Sequence, residues 1–280
     1  MSDLIDSIIK TRELTADIFV KSLVDLENKS EVEIAQNILS EVKNQNEIFS
    51  EGWYSPPPFG VAVLLDKVPF GRLKYDSLRN FEFQPKQNIF FEKETAGLIY
   101  FSPINSKTNM IGDIGFTIYS GDNKEIQEHL KKVYKNILEV AKHAEIGMRF
   151  SDLCVFAINL FKDKFKLTKW TTVSSDSDVS INIGHTIPGS FENYFVFGKT
   201  FDEIKDSIRT KRVHLNEKEN FVIPETCAFT IESRLEDINN PNLPSAYFHF
   251  IVCFDNGKKT ILENFENIFK IANMDYIYDK

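Results

Sequence analysis

Residues 3 to 49 place apolar side chains at helical spacing: Leu4, Ile5, Ile8 and Ile9, then Leu14, Ile18, Leu23 and Leu26, then Ile34, Ile38, Leu39 and Val42. Ser30 and Glu33 form a capping-box pair, which predicts that a second helix starts near Glu31. The segment Trp53 to Pro58 holds three successive prolines, which supply no backbone donors and cannot continue a helix. Val61 to Leu65, Asn88 to Phe91, Gly97 to Phe101 and Ile111 to Tyr119 read as extended, with a polar turn at Asn105 to Asn109, so an antiparallel hairpin sheet is predicted. The helical period returns from Lys124 to Val140, where Ile126, Leu130, Val133, Ile137 and Val140 share one face. Gly147 stops that helix, and Ser151 with Asp152 opens another that runs to about Phe161. Thr171 to Ser180 is polar at almost every step and reads as a loop. Phe221 to Leu235 and Ala246 to Asp255 are strand-like around an Asn-Pro-rich loop, and Lys258 to Ile271 is a strand turning into a helix. Helices followed by strands, twice over, predict one α+β domain over residues 1–280, with halves of about 1–121 and 122–280 and helices covering one face of a curved sheet.

Composition narrows the function classes. With 42% hydrophobic and 26% charged residues the chain can bury a full core, which excludes disorder. Lys and Arg total 33 against 41 acidic residues, a net charge of −8. That balance repels phosphate backbones and anionic membranes, so neither nucleic acid nor a membrane surface is an expected partner. The longest basic run, Arg209 to Arg212, is short and reads as a solvated surface turn. No basic start precedes an apolar core at the N-terminus, and no apolar window is long enough for a bilayer, so a cytoplasmic protein is expected. Cys154, Cys227 and Cys253 are widely spaced within apolar runs and read as reduced core thiols.

Four positions hold a carboxylate or imidazole where a strand or turn would aim it inward. Asp113 lies between Gly112 and Gly115, whose missing side chains permit close backbone approach to something bound. His185 follows Gly184 in an apolar turn, Glu232 ends the apolar run Phe229-Thr230-Ile231, and His249 sits among aromatics. Taken singly, each also reads as a capped turn, a satisfied core histidine or a structural salt bridge. His129 and His143, on the charged helix, and His214, in a polar turn, read as solvated.

The order of these elements resembles the pita-bread family of methionine aminopeptidases, Xaa-Pro peptidases, prolidases and creatinase, over nearly the whole chain. Ser30 to Ala35 looks like the start of that family's second helix, and the hairpin ending in Gly112-Asp113 looks like its metal-binding aspartate segment. Gly184-His185-Thr186-Ile187 is similar to its Gly-His-x-Ile element. Leu215 to Glu232 resembles the segment ending in Thr-Ile-Glu, and Val252 to Gly257 the last hairpin.

The resemblance implies a site in which Asp, Asp, His, Glu and Glu hold two metal ions, and here Asp113, His185 and Glu232 match three of the five. The first Asp is replaced by Ser102 or Tyr100, and the last Glu by Phe248 or His249, of which only one can face the site because strand side chains alternate. The family's helper histidines are missing as well. None precedes His129, and the later one appears as Glu192. Two readings follow. In one, a single divalent ion (zinc, manganese or iron) is held by Asp113, His185 and Glu232, with His249 as a fourth ligand. Glu192 and His185 then serve hydrolysis of a small amide or peptide. In the other, no metal is bound and the cleft holds a peptide or protein partner. Metal-free chemistry on a small amide or guanidine, as creatinase implies, is a third.

Overall fold

The computed structural model describes residues 2–55, 57–168, 182–191, 196 and 198–279. The loop expected at 171–180 and the residue Glu192 lie outside them.

The predicted helix pair forms as α1 (Ser2–Ser22) and α2 (Glu31–Lys43). The Ser30 side chain accepts from the Glu33 backbone N–H, and the Glu33 carboxylate accepts from the Ser30 N–H, so both ends of the capping box are made. Strands β1 (Val61–Asp66), β2 (Ala96–Phe101) and β3 (Ile114–Tyr119) follow as one antiparallel sheet in the order β1-β2-β3. Asn88 to Phe91 forms no strand; Phe90 makes only an isolated bridge to Ser30.

Helices α3 (Lys124–His143) and α4 (Phe150–Phe161) repeat the helix pair. After β4 (Phe165–Leu167) comes α5 (Phe201–Thr210), which the apolar spacing did not flag although Thr200 and Glu203 supply a second complete capping box. The Phe221 to Leu235 stretch resolves into β5 (Cys227–Ile231) and β6 (Arg234–Asp237). The next stretch divides into β7 (Ala246–Tyr247) and β8 (Phe250–Asp255), and β9 (Lys258–Leu262) and α6 (Glu266–Ile271) end the fold. Strands β5-β8-β9 make a second antiparallel sheet, and β4-β6-β7 a third.

These sheets are stitched to one another. Phe116 of β3 bridges Phe248, His249 N–H donates to Gly115 O at 2.9 Å, and Tyr247 N–H donates to the Thr117 hydroxyl at 2.8 Å. On the other edge, Thr186 bridges Phe229 of β5 and His185 bridges His214. The helices pack on the outside: α2 against β1, α1 against α2 and α6, and α3 against α4. Inside, the aromatic rings of Phe116, Tyr134, Phe248, Phe265 and Phe269 interlock edge to face across the two halves. All three cysteines are buried free thiols. Among the described residues no helix is long and apolar enough to cross a membrane.

Two histidines read from sequence as solvated are buried. His129 is 3% exposed, and its Nε2–H donates to Pro244 O at 2.8 Å. It falls one step from Leu130 and three from Ile126, on the apolar face of α3, so its position on the helix decides its burial. His214 is 8% exposed, held by the Asn182 amide at 3.0 Å from Nδ1. His143 is exposed, as expected, and stacks on Phe156.

Candidate functional site

Asp113 lies immediately before β3 and is 1% exposed. The Trp53 indole Nε1–H donates to both of its oxygens, at 2.9 and 3.0 Å, and the Tyr100 hydroxyl donates to Oδ2 at 2.9 Å. Burial pushes the Asp113 carboxyl up to about 7, against the opposing effect of these donors and of Arg212 and Arg12. Trp53 is therefore a structural partner of the site, reached because the proline-rich segment folds back over Ser102: Trp53 N–H donates to Ser102 O, and the Ser102 hydroxyl accepts from Tyr54 N–H. Of the two candidates for the first aspartate position, Tyr100 faces Asp113, while Ser102 is spent on backbone groups of Gly60 and Tyr54.

The glycines around Asp113 admit the protein's own groups. A Cβ on Gly112 would lie 2.6 Å from Arg12 N, so this glycine lets α1 close onto the strand. One on Gly115 would lie 2.5 Å from the Tyr247 ring and 2.8 Å from that of Tyr100, so its bareness makes room for both tyrosines.

Arg12 enters from α1 and is fully buried. Its guanidinium donates to the backbone oxygens of Asp113, His249 (2.7 Å) and Glu263 (2.8 Å), and Nη1 donates to His249 Nδ1 at 3.4 Å. Burial lowers its pKa to about 9, opposed first by Asp113. The other ring nitrogen of His249, Nε2, is buried without a hydrogen-bond partner among the described residues. That Nε2 lies 3.7 Å from Glu232 Oε2. The alternation is thereby resolved: His249 faces the site, and Phe248 packs among Tyr134, Phe265 and Phe269.

His185 approaches the same carboxylate from the other side, with Nε2 3.7 Å from Glu232 Oε1. Its Nδ1–H donates to Thr186 O at 2.9 Å, which leaves an open lone pair on Nε2. Burial, then Arg212 and His214, hold the His185 pKa well below the usual histidine range, so the ring is neutral. Glu232 is partly accessible, its side chain 18% exposed, and the Tyr247 hydroxyl donates to Oε2 at 3.3 Å. Burial raises the Glu232 carboxyl to about 7; Arg212 is the main opposing charge.

His185, Glu232, Tyr100 and Tyr247 border one small open pocket. Trp53, Tyr54, Tyr75, Tyr100 and Tyr247 give it aromatic walls, and Glu232, His185, His214, Arg79 and Arg212 its polar ones. The guanidinium of Arg212 lies over the Trp53 ring, 4.6 Å from its centroid, and that of Arg79 over Tyr54, 4.7 Å from its centroid. Arg212 thus leaves the basic run that the sequence assigned to a surface turn and turns inward, because Trp53 offers it a face and Glu232 an opposite charge.

Of the predicted ligands His185 and Glu232 line this pocket, Asp113 and His249 are buried outside its lining, and the four form no ligand set. Among the described residues no three His, Cys, Asp or Glu side chains are grouped to hold a metal ion. The donor chemistry supplies the reason. Asp113 is sealed beneath Trp53 and Tyr100, Arg12 lies against His249, and Arg212 adds positive charge beside Glu232. The residues present do not fit a resident ion.

The sequence matches no family profile and no curated protein. Its fold does have solved counterparts. The X-Pro aminopeptidase from Thermotoga maritima MSB8 superposes with a TM-score of 0.62 at 13% identity, over 93% of this chain and 61% of that one. The Xaa-Pro dipeptidase from Bacillus anthracis gives 0.63 at 12% identity, over 93% and 60%. The methionine aminopeptidase from Thermotoga maritima gives 0.59 at 10% identity, over 91% and 96%. The chain thus spans about three fifths of the Xaa-Pro peptidases and nearly all of the methionine aminopeptidase. Identities this low speak for the fold alone, and on that ground the chain is a divergent protein of the pita-bread fold that these peptidases share.

Proposed function

We propose that this chain uses the pita-bread cleft as a metal-independent binding pocket for a small amide or a peptide segment. The observation that carries the reading is the seclusion of Asp113: its carboxylate is 1% exposed under Trp53 and Tyr100, and among the described residues no three ligand-type side chains are grouped around an ion position. Arg12 adds to this by holding the backbones of Asp113 and His249 from behind. What remains open to a ligand is the Glu232 carboxylate between two imidazoles, two guanidinium groups and a wall of aromatic rings. Such a lining, apolar with a few convergent polar groups, suits a ligand that brings hydrogen-bonding amides and an apolar side chain.

The solved counterparts named for peptidase activity make a peptide-like ligand the natural class to test. In a metal-bound hydrolase the ion would supply a water of lowered pKa, and no step is assigned to such an ion here. The test is binding of a panel of short peptides, followed by calorimetry with and without a chelator. The reading expects at least one peptide to bind with the same affinity in both conditions, and a Glu232→Ala or Arg212→Ala change to weaken it. Binding that disappears with the chelator and returns with zinc or manganese would overturn it, as would rapid metal-dependent turnover of a Met-initiated or Xaa-Pro peptide.

A further inference from the structure

Residues 67–95 join β1 to β2 and carry three side chains of the pocket lining, Tyr75, Leu78 and Arg79. The segment is tied down on both sides of these residues. Before them, Phe70 and Leu73 are buried, Arg72 pairs with Glu31 at 2.9 Å, and the Arg234 guanidinium donates to Tyr75 O. After them, the Phe83 ring rests 6.0 Å from that of Tyr75, and Lys86 N–H donates to the Glu31 carboxylate at 2.8 Å. The tip between, residues 76–82, is held differently. Among the described residues its hydrogen bonds stay within residues 72–86. Asp76 accepts from Ser77 N–H and the Asn80 amide, Ser77 O from Asn80 N–H, Asn80 O from Phe83 N–H, Phe81 O from Lys86, and Glu82 O from Arg72.

Two side chains of the tip, Leu78 and Arg79, reach the pocket, and they pull in opposite directions. Leu78 is 5% exposed, and its burial favours the inward position. Arg79 opposes it. Its guanidinium gains the Tyr54 ring, but Nε and Nη1 are cut off from solvent without an acceptor, and Arg209 adds a like charge nearby. Donors buried without partners are costly, and outward movement returns them to water. Asn80, Phe81 and Glu82 already stand in solvent, so such a movement uncovers chiefly Leu78.

We infer that residues 76–82 form a gate of the pocket: the tip rests inward on Leu78 and Arg79, and swings outward between its anchors at Tyr75 and Phe83 to admit a ligand. The inference rests on the reading of the cleft as a binding pocket for what enters it, while the movement itself is open to measurement without any ligand. A local opening of this kind breaks few apolar contacts and leaves β1 and β2 paired.

Leu98 of β2 lines the same pocket and is 3% exposed, so a thiol at that position is reached only when the tip is out. The full chain carrying Leu98→Cys is treated with N-ethylmaleimide and the label is located by mass spectrometry, with the buried Cys154, Cys227 and Cys253 as the reference for global unfolding. The gate predicts labelling at position 98 about tenfold or more faster than at the three native thiols, at a rate that urea below the unfolding transition leaves unchanged. Adding Leu78→Ala should speed it about tenfold or more, by weakening the inward hold. Adding Arg79→Met should slow it about threefold or more, because an unbranched apolar stem keeps its place on Tyr54 without the buried charge. A fixed wall would respond to Leu78→Ala through the hole alone and be indifferent to Arg79→Met, which overturns the gate. Labelling that keeps pace with the native thiols, rises with urea, or is as fast as in the unfolded chain overturns it too. Where Leu98→Cys fails to fold, amide hydrogen exchange of the unaltered protein decides. Exchange of residues 79–84 that ignores low urea while that of β2 follows it supports the gate, and equal urea dependence overturns it. Each of these results is independent of peptide binding, so the reading of the pocket stands or falls on its own test.

Discussion

The two carboxylates at the cleft, Asp113 from the first half of the chain and Glu232 from the second, receive opposite treatment. Asp113 is sealed: 1% exposed, with two side-chain donors on its oxygens and Arg12 behind its backbone. Glu232 stays at the pocket wall, with hydrogen bonds from Tyr247 at 3.3 Å and from Thr230, and two imidazole nitrogens at 3.7 Å, beyond hydrogen-bond length. Burial raises both to about 7, so proximity to a low-dielectric interior does not separate them. Partners do. The difference teaches that a residue matched to a ligand position can be retained as a structural acceptor while its counterpart remains available to something that binds.

The comparison makes its largest prediction at Arg12. Replacing it with Met leaves the carbonyls of Asp113, His249 and Glu263 without their common donor, and should lower unfolding stability by about 3–5 kcal/mol in urea denaturation. The same experiment on Glu232→Gln should change stability by less than about 1 kcal/mol, since Tyr247 and Thr230 can donate to an amide oxygen as they do to the carboxylate. Equal losses would remove the distinction between a sealed and an open carboxylate.

Next in size is Gly115→Ala. The added methyl would press on both tyrosine rings that flank the site, which should destabilise the fold by about 1–3 kcal/mol and reduce ligand binding through Tyr100 and Tyr247. Tyr100→Phe is subtler. It removes one donor from Asp113 and should lower stability by about 1–2 kcal/mol at neutral pH, measured by thermal or urea unfolding. If that change is silent, Asp113 is not held in the way described.

The smallest effect is a pH slope outside the cleft. Burial holds the His129 pKa below the usual histidine value of 6.5, opposed by the bond to Pro244 O and then by Asp237. The unfolded chain takes up a proton at pH values where the folded one does not, so the stability this neutral ring allows is present above 6.5 and is lost as pH falls below it, by at most about 1.4 kcal/mol per pH unit. His129→Phe should make that part of a plot of stability against pH shallower by this amount, leaving the contributions of His185, His214 and His249 in place.

Much of the fold could be read from residue order because it rests on local rules. The capping box at Ser30 and Glu33, the apolar face of α3 and the strands around Ile99 and Phe116 follow from spacing and burial that neighbours in sequence reveal. At the site, residue order named positions but not the groups that pack against them. Gly112 and Gly115 announced a close approach, but the approaching groups are α1 and two tyrosines, contributed from sequence distances no local pattern reports. Arg12 did leave a trace: it occupies the buried face of α1 in the series Ile5, Ile8, Arg12, Thr15 and Phe19, where a charge needs partners from elsewhere. Arg212 left none, because a basic run is usually solvated and only the fold brings Trp53 beneath it. His214 was hidden in the same way, its partner Asn182 being 32 residues earlier.

The central claim, that Asp113 is closed to a metal ion, is tested most directly by metal retention. The purified protein is equilibrated with zinc, manganese or iron(II), freed of unbound ion, and analysed by mass spectrometry beside His185→Ala. The account predicts far less than one ion per chain for each metal, unchanged by the substitution. One ion per chain that is lost in His185→Ala would contradict it.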